Sequence, residues 1–293
     1  MTFFKKIKLN IKPILMKTYH IGTILISILT FILAFVTWQD MKINNVWIRL
    51  FILVGIILVS FVSSLILVVV ILKNKKLWAN GKNKVFAFYG DLFKIMDKSE
   101  KKIILIPVND TFETIIDDNL TQNKPLVSLQ TIHGQWIRYM NSIGMDSKCL
   151  NENISNDLKC KNIKPNKVYN DKEKIRGNRE SYALGTIATI NGNNNTTFYL
   201  LTISNFDEDN KASSSRRNIR NCIDELIDFY DTNGQGYPIY IPLFGTDRSR
   251  ADLTHQQAFK MIKNAVLTNE KSINGIINIV VYKKDRDKVS IFK

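Results

Sequence analysis

Between Ile239 and Phe244 an apolar run stops at Gly245. Thr246, Asp247, Arg248, Ser249 and Arg250 follow, and an amphipathic run (Phe259, Ile262, Val266) begins just past Thr254. That order reads as strand, glycine turn and helix. Gly245 has no Cβ, so the backbone can bend sharply and a ligand can approach closely. The N–H groups of Thr246 to Ser249 could converge on a phosphate, with Arg248 or Arg250 adding charge-assisted bonds. An ordinary strand-to-helix turn with solvated arginines fits the same letters.

Other residues able to do chemistry are scattered. Asp91 follows Gly90 at the end of an apolar run, where it either serves a site or closes a turn. Asn109 and Asp110 open a polar loop after a second apolar run, and Asn109 is either a site residue or a buried cap on a strand end. Asp110 and Glu113 could pair as acid and base, although a loop role suits them better. His133 stands beside Gly134 and could stack on a ligand or simply occupy a loop. Ser213 to Arg217 has phosphate-binding composition that helix capping also explains. The three histidines (His20, His133, His255) are far apart, and no Ser-His-Asp order, Walker loop or metal-ligand spacing occurs. No catalytic residue, metal or cofactor is therefore assigned.

The elements that must position these residues alternate. Val85 to Tyr89 reads as a strand stopped by Gly90-Asp91, and Ile103 to Val108 is a continuous apolar run that suits a strand buried on both faces. Ile132 to Ile143 is helical in pattern. Residues 146–181 lose hydrophobics and read as a long mobile insertion, either a lid or, the favoured reading, a solvated loop. Gly185–Ile190 and Thr196–Ile203 flank an Asn/Gly turn and predict a hairpin. Ser213-Ser-Ser caps a helix that ends at Asn233-Gly234, Thr254 with Gln257 is a capping box, and Ile276–Tyr282 is a last strand. Strands alternating with helices predict a three-layer α/β/α domain, with its ligand crevice at the carboxyl ends of the strands.

The charge of +15 is unevenly placed. Residues 1–84 carry 12 Lys+Arg against one acid, and residues 85–293 carry 29 against 25. The surplus flanks two charge-free windows, 18–39 and 50–72, each long enough to cross a bilayer. The excess is thus explained by membrane topology and anionic-lipid contact, without a nucleic-acid footprint. Lysines crowd the outer ends of the pair, which predicts cytoplasmic termini, and Trp38 and Trp47 suit the opposite interface. Small residues Ser60 and Ser64 either pack the spans together or are tolerated singly, the second being favoured. Three cysteines fit free thiols, with a Cys149–Cys160 pair as a minor alternative. The expected organisation is residues 1–73 with two transmembrane helices (about 18–39 and 47–72), a linker at 74–84, and a domain at 85–293 with the insertion at about 146–181.

Across roughly residues 84–293 the order of pieces resembles a macro domain, the fold that binds ADP-ribose. Gly90-Asp91-Leu92 is similar to the family's Gly-Asp-Ile, which implies that Asp91 takes the adenine amino group. Pro107-Val108-Asn109 is similar to its Val-Asn-Ala-Ala-Asn, which puts Asn109, with Asp110 after it, near the distal ribose. His133-Gly134 falls at the first phosphate loop, and Phe244-Gly245-Thr246-Asp247-Arg248 at the second. The Gly-Gly-Gly-Val run is absent, and Asp110-Thr111-Phe112 replaces Ala-Ala-Asn, the region that places a water in macro-type hydrolases. A more specific resemblance is to divergent macro domains fused to two N-terminal spans in bacterial Thoeris anti-phage systems. It is carried by Val108 to Thr114, by Ser128 to Gly134 and by Pro242 to Arg248. This resemblance implies an effector in the bacterial inner membrane. It would bind an imidazole- or histidine-linked ADP-ribose made by a TIR-domain partner, assemble as a homo-oligomer and disrupt the membrane. A membrane-tethered ADP-ribosyl hydrolase and a plain membrane scaffold are the alternatives.

Overall fold

The computed structural model describes residues 2–97, 99–117, 126–207, 210–246 and 251–293. The chain divides into two compact units, Met1–Lys75 with Arg286–Lys293, and Lys76–Asp285.

The first unit holds α1 (Thr2–Leu9), α2 (Ile11–Leu33) and α3 (Val46–Ile66), and α3 runs on into a single π-helical turn, Leu67–Ile71. Both long helices have the length and composition to cross a membrane. Their apolar side chains are largely exposed, Phe31 and Phe51 among them, as a lipid-facing surface requires. Helix α2 stops at Leu33, short of the end of the charge-free window, and Asp40 accepts the Thr37 N–H and hydroxyl at 2.8 and 2.6 Å in the turn that follows. Asn45 then caps α3 by accepting the Trp47 N–H. Ser60 and Ser64 are wholly buried, and a Cβ on Gly22 of α2 would lie 3.6 Å from the Ser60 hydroxyl. The small face therefore packs the helices together, contrary to the favoured reading. Each serine satisfies its hydroxyl on the carbonyl one turn back.

β1 (Asn74–Asn80), β2 (Asn83–Gly90), β3 (Lys102–Asn109), β6 (Ile187–Asn191), β7 (Thr196–Phe206), β9 (Ile239–Pro242) and β10 (Ile276–Tyr282) form one sheet in the order β1-β2-β10-β9-β3-β7-β6, with the short β8 (Ala212–Ser213) on β7. Strands β2, β10, β9, β3 and β7 are parallel, and β6 closes the far edge as the antiparallel hairpin partner of β7. Helices α4 (Leu92–Met96), α5 (Ile132–Ser142) and α6 (Ser147–Cys160) share a core with Ile104, Ile106 and Val108 on one face of β3. Helices α7 (Arg216–Asn233) and α8 (His255–Thr268) contribute further buried apolar faces, packing on β7 and β10 respectively. The domain is a three-layer α/β/α fold.

Residues 146–181 are not simply a solvated loop. They contain α6 and a short ladder of β4 (Lys167–Val168) with β5 (Glu180–Ser181). Asp146 caps the helix, and Leu150, Ile154 and Leu158, spaced at four, form a narrow buried stripe in an otherwise polar segment. Cys149 and Cys160 lie at the two ends of this helix, about 16 Å apart by its rise, too far to pair. Cys222 is buried on α7, where burial pushes its thiol up to about 12.

Candidate ligand-binding cleft

The sheet opens where the ligand crevice is expected. Strand β3 pairs with β9 only at Ile103 and Ile104 and then diverges. The Ile103 N–H points toward the β9 side, and so by alternation would that of residue 107. Pro107, which has no N–H, therefore sits where the ladder has already ended. Toward β7 the register slips between Val108 and Asn109, a bulge of the kind that re-aims a side chain. The resulting cleft of about 900 Å³ lies at the carboxyl ends of the parallel strands.

Asp91, Leu92, Asn109, His133, Phe244, Gly245 and Thr246 all line this one cleft. Asp91 is the N-cap of α4, its Oδ1 accepting the Phe93 N–H, and its Oδ2 lies 3.9 Å from Lys283 Nζ. Asn109 is 3% exposed; its Oδ1 accepts the Glu113 N–H at 2.9 Å, while its Nδ2 has no hydrogen-bond partner among the described residues. Gly245 has φ +83°, a left-handed conformation that only glycine adopts freely, and a Cβ there would meet Ile219 and Leu253 at 3.1 Å. Asp247 and Arg248 lie outside the described residues.

Two candidates are placed differently from expectation. Asp110 is 2% exposed and does not line the cleft. Its Oδ2 accepts from Ser181 Oγ at 2.6 Å and its Oδ1 from the Phe206 N–H at 2.9 Å. Burial pushes its carboxyl up, opposed by these bonds and by Lys174. Gly134 also stays behind the wall. Its N–H caps onto Thr131 Oγ1, and a Cβ would lie 2.3 Å from the Ser128 carbonyl oxygen, so it permits the close turn that starts α5.

His133 lines the cleft as an uncharged group. Burial lowers its pKa to about 3, against the opposing effect of its bond to the Glu113 carbonyl, and its ring lies 6.2 Å from that of Trp136. It offers a flat neutral surface, and no cation for phosphate. The first turn of α5 supplies the favourable dipole instead, with Thr131, Ile132 and His133 all on the cleft.

The insertion builds the back of the site. Glu113 Oε2 accepts the Asn178 N–H, and Asn178 Nδ2 donates to the Thr111 and Phe112 carbonyls. Lys174, 1% exposed, donates to Thr111 Oγ1 at 3.2 Å and faces Asp110 and Glu113. Arg176 makes a two-point pair with Asp117, a cleft residue. Burial alone would raise the Asp117 pKa, yet Arg176 and the Leu126 N–H outweigh it and hold the carboxyl low. Gly177 must be glycine: φ is +82°, and a Cβ would fall 2.0 Å from Glu113 Oε2. These bonds give Asp110 and Glu113 the structural loop role that their positions already favoured.

Sequence reasoning did not single out Asp117, Thr131, Phe206, His255, Tyr282 or Asp285, which also line the cleft. Thr131 carried a usable signal, as a capping residue before the apolar pattern of α5. Among the described residues no three His, Cys, Asp or Glu side chains are placed to hold a metal ion.

This combination of a parallel three-layer domain, a crevice at its strand ends and two long apolar helices is that of a macro domain carried on a helical hairpin. The family described as "Thoeris protein ThsA, Macro domain" matches residues 87–282, and the chain belongs to that family. It is 25% identical over 279 residues to the Thoeris protein ThsA of Bacillus amyloliquefaciens, covering 92% of this chain and 86% of that protein. Among solved structures it is similar to the Oceanobacillus iheyensis macrodomain with MES bound (12% identity, TM-score 0.47, 73% of this chain and 90% of that one). It is also similar to the Trypanosoma brucei macrodomain in complex with ADP-ribose (9% identity, TM-score 0.37, 69% and 65%). The domain is the ligand-binding part of a Thoeris protein.

Proposed function

We propose that the cleft binds an ADP-ribose-derived nucleotide, such as an imidazole- or histidine-linked ADP-ribose made by a TIR-domain enzyme, and that binding makes the protein an anti-phage effector acting on the bacterial inner membrane. The observation that carries this reading is the Nδ2 of Asn109, buried in the cleft wall without a partner, because a buried donor left unmade is costly unless a ligand takes it. Asn109 would donate to a ribose hydroxyl and Asp91 would accept from the adenine amino group. The first turn of α5 and the loop at Gly245 would hold the diphosphate. The cleft volume suits a ligand of that size. Family membership supports binding as the primary task, and the internal bonds of Asp110 and Glu113 favour it over hydrolysis.

Binding shifts the protein only through a difference in affinity between its resting and active states. One two-helix hairpin is too small to enclose a pore, so homo-oligomeric clustering of hairpins is the simplest way to disturb the bilayer. The lysine-rich outer ends of α2 and α3 support a reading in which both termini face the cytoplasm beside anionic lipid, and nucleic acid has no part in it. The test is dye release from liposomes of mixed neutral and anionic lipid containing the full-length protein. ADP-ribose or its imidazole-linked form should trigger release. Tight binding with the vesicles left intact would contradict the effector half of the proposal.

A further inference from the structure

The last eight residues, Arg286–Lys293, belong to the same compact unit as the apolar helices. Val289, Ser290 and Ile291 are wholly buried. Ser290 Oγ hydrogen-bonds Asn10 Oδ1 at 2.5 Å, at the break between α1 and α2, and Lys75 Nζ donates to the Phe292 carbonyl at 2.9 Å. The Arg286 guanidinium donates to the Leu72 carbonyl at 2.7 Å, to that of Val70 at 3.3 Å and to that of Val68 at 3.5 Å. These carbonyls lie in or just after the π-helical turn that ends the second span. Carbonyls at a helix end lack intrahelical partners, and a cation there also complements the helix dipole.

The residue before Arg286 is a cleft residue. Lys283–Asp285 is a single 3-10 turn following β10, and both sides of that turn are tied to the cleft. Lys283 Nζ lies 3.9 Å from Asp91 Oδ2, and Asp285 Oδ2 lies 3.8 Å from His255 Nε2. Asp91, His255 and Asp285 all line the cleft. An ion pair as long and as exposed as Lys283–Asp91 contributes little, so a ligand that engages Asp91 can replace it at small cost. The turn that both pairs hold passes by one peptide bond to Arg286.

We infer that the C-terminal octapeptide is a clamp on the end of the second span, and that occupancy of the cleft sets its grip through the Lys283–Asp285 turn. The empty cleft holds the turn through Asp91 and His255, and Arg286 holds the carbonyls of Val68 to Leu72. A ligand competing for Asp91 shifts the turn, withdraws Arg286 and loosens the helix end. The ligand-driven half of this rests on the ADP-ribose reading above; the clamp itself does not.

The experiment is hydrogen exchange on the full-length protein in lipid nanodiscs, with and without ADP-ribose, alongside calorimetric titration of the same samples. In the native protein ADP-ribose should speed exchange of the amides in segment 67–72. Arg286→Gln should speed it by about tenfold without ligand, as expected for losing charge-assisted bonds, and, because the coupling is reciprocal, should raise ADP-ribose affinity by up to about tenfold. Ser290→Ala, which removes a different contact of the same strap, should move exchange in the same direction and guards against a folding defect peculiar to Arg286. Unchanged exchange in both variants overturns the clamp. Binding of ADP-ribose with unchanged exchange at 67–72 overturns the coupling. Failure of ADP-ribose to bind overturns the functional reading and the coupling with it, and the ligand-free variants then still decide the clamp.

Discussion

Asn109 Oδ1 accepts the Glu113 N–H at 2.9 Å, and this bond fixes the amide so that Nδ2 is left buried in the cleft wall with no partner among the described residues. The bulge at Val108/Asn109 sets the residue there, and Glu113 is held in turn by Asn178 from the insertion. A donor positioned with this much support and left unmade is the feature a ligand would complete.

Asn109→Asp keeps an acceptor for the Glu113 N–H and removes the donor. ADP-ribose affinity should fall about 10- to 100-fold, corresponding to about 1.5–3 kcal/mol, in calorimetric titration. Asn109→Leu should lose binding as well and also lower the melting temperature, because it strands the Glu113 N–H. Undiminished affinity in Asn109→Asp would remove the residue from the site.

Gly245→Val puts a β-branched side chain at φ +83°, with its Cβ 3.1 Å from Ile219 and Leu253. The conformation alone costs about 1–2 kcal/mol, which a domain of this size can absorb. Circular dichroism should therefore remain native while ADP-ribose affinity drops more than about tenfold, as the loop moves from the diphosphate position. Normal binding by the folded variant would misplace that loop.

Lys174→Met leaves Asp110 and Glu113 facing each other without the buried cation between insertion and loop. Removing one partner of a buried charged group costs about 3–5 kcal/mol. A clear fall in melting temperature and faster proteolysis within residues 146–181 should appear together. If only surface proteolysis changes, the insertion is not a structural part of the site.

His133 gives the stability a pH dependence of known sign. Its folded pKa, about 3, lies below the ordinary 6.5, so the unfolded chain binds a proton that the folded protein refuses. That contribution is fully present above about pH 6.5 and is lost as the pH falls toward 3, amounting to about 2 kcal/mol by pH 5. His133→Gln removes it, so thermal melts at pH 7 and pH 5 should differ more for the native protein than for the variant.

The parts of this protein set by local pattern were legible from its letters. The charge-free windows hold the two long helices, although α2 ends at Leu33, the apolar run at Ile103 is a buried strand, and the Thr254–Gln257 capping box is present with both its bonds. The rest shares a physical cause. Helix α6 is carried by only three buried residues, Leu150, Ile154 and Leu158, which the surrounding Asn, Lys and Asp outnumber. The loop role preferred for Asp110 and Glu113 has partners that spacing could not name, because Lys174, Asn178 and Ser181 arrive from more than 60 residues away. His133 stays open between a ligand contact and a loop residue in the sequence, because its neutrality is a property of burial, which spacing does not report. The orphaned amide of Asn109 likewise exists only once the bulge and the insertion are in place.

The central claim is that the cleft is a nucleotide sensor. Its most direct test is calorimetric titration of the full-length protein with ADP-ribose and its imidazole- and histidine-linked derivatives, with chromatography of the recovered ligand. The account predicts saturable binding with the ligand returned intact and the tightest binding for a linked derivative. Turnover of the ligand would move the protein to the hydrolases, and no binding to any of the three would leave the cleft without its proposed occupant.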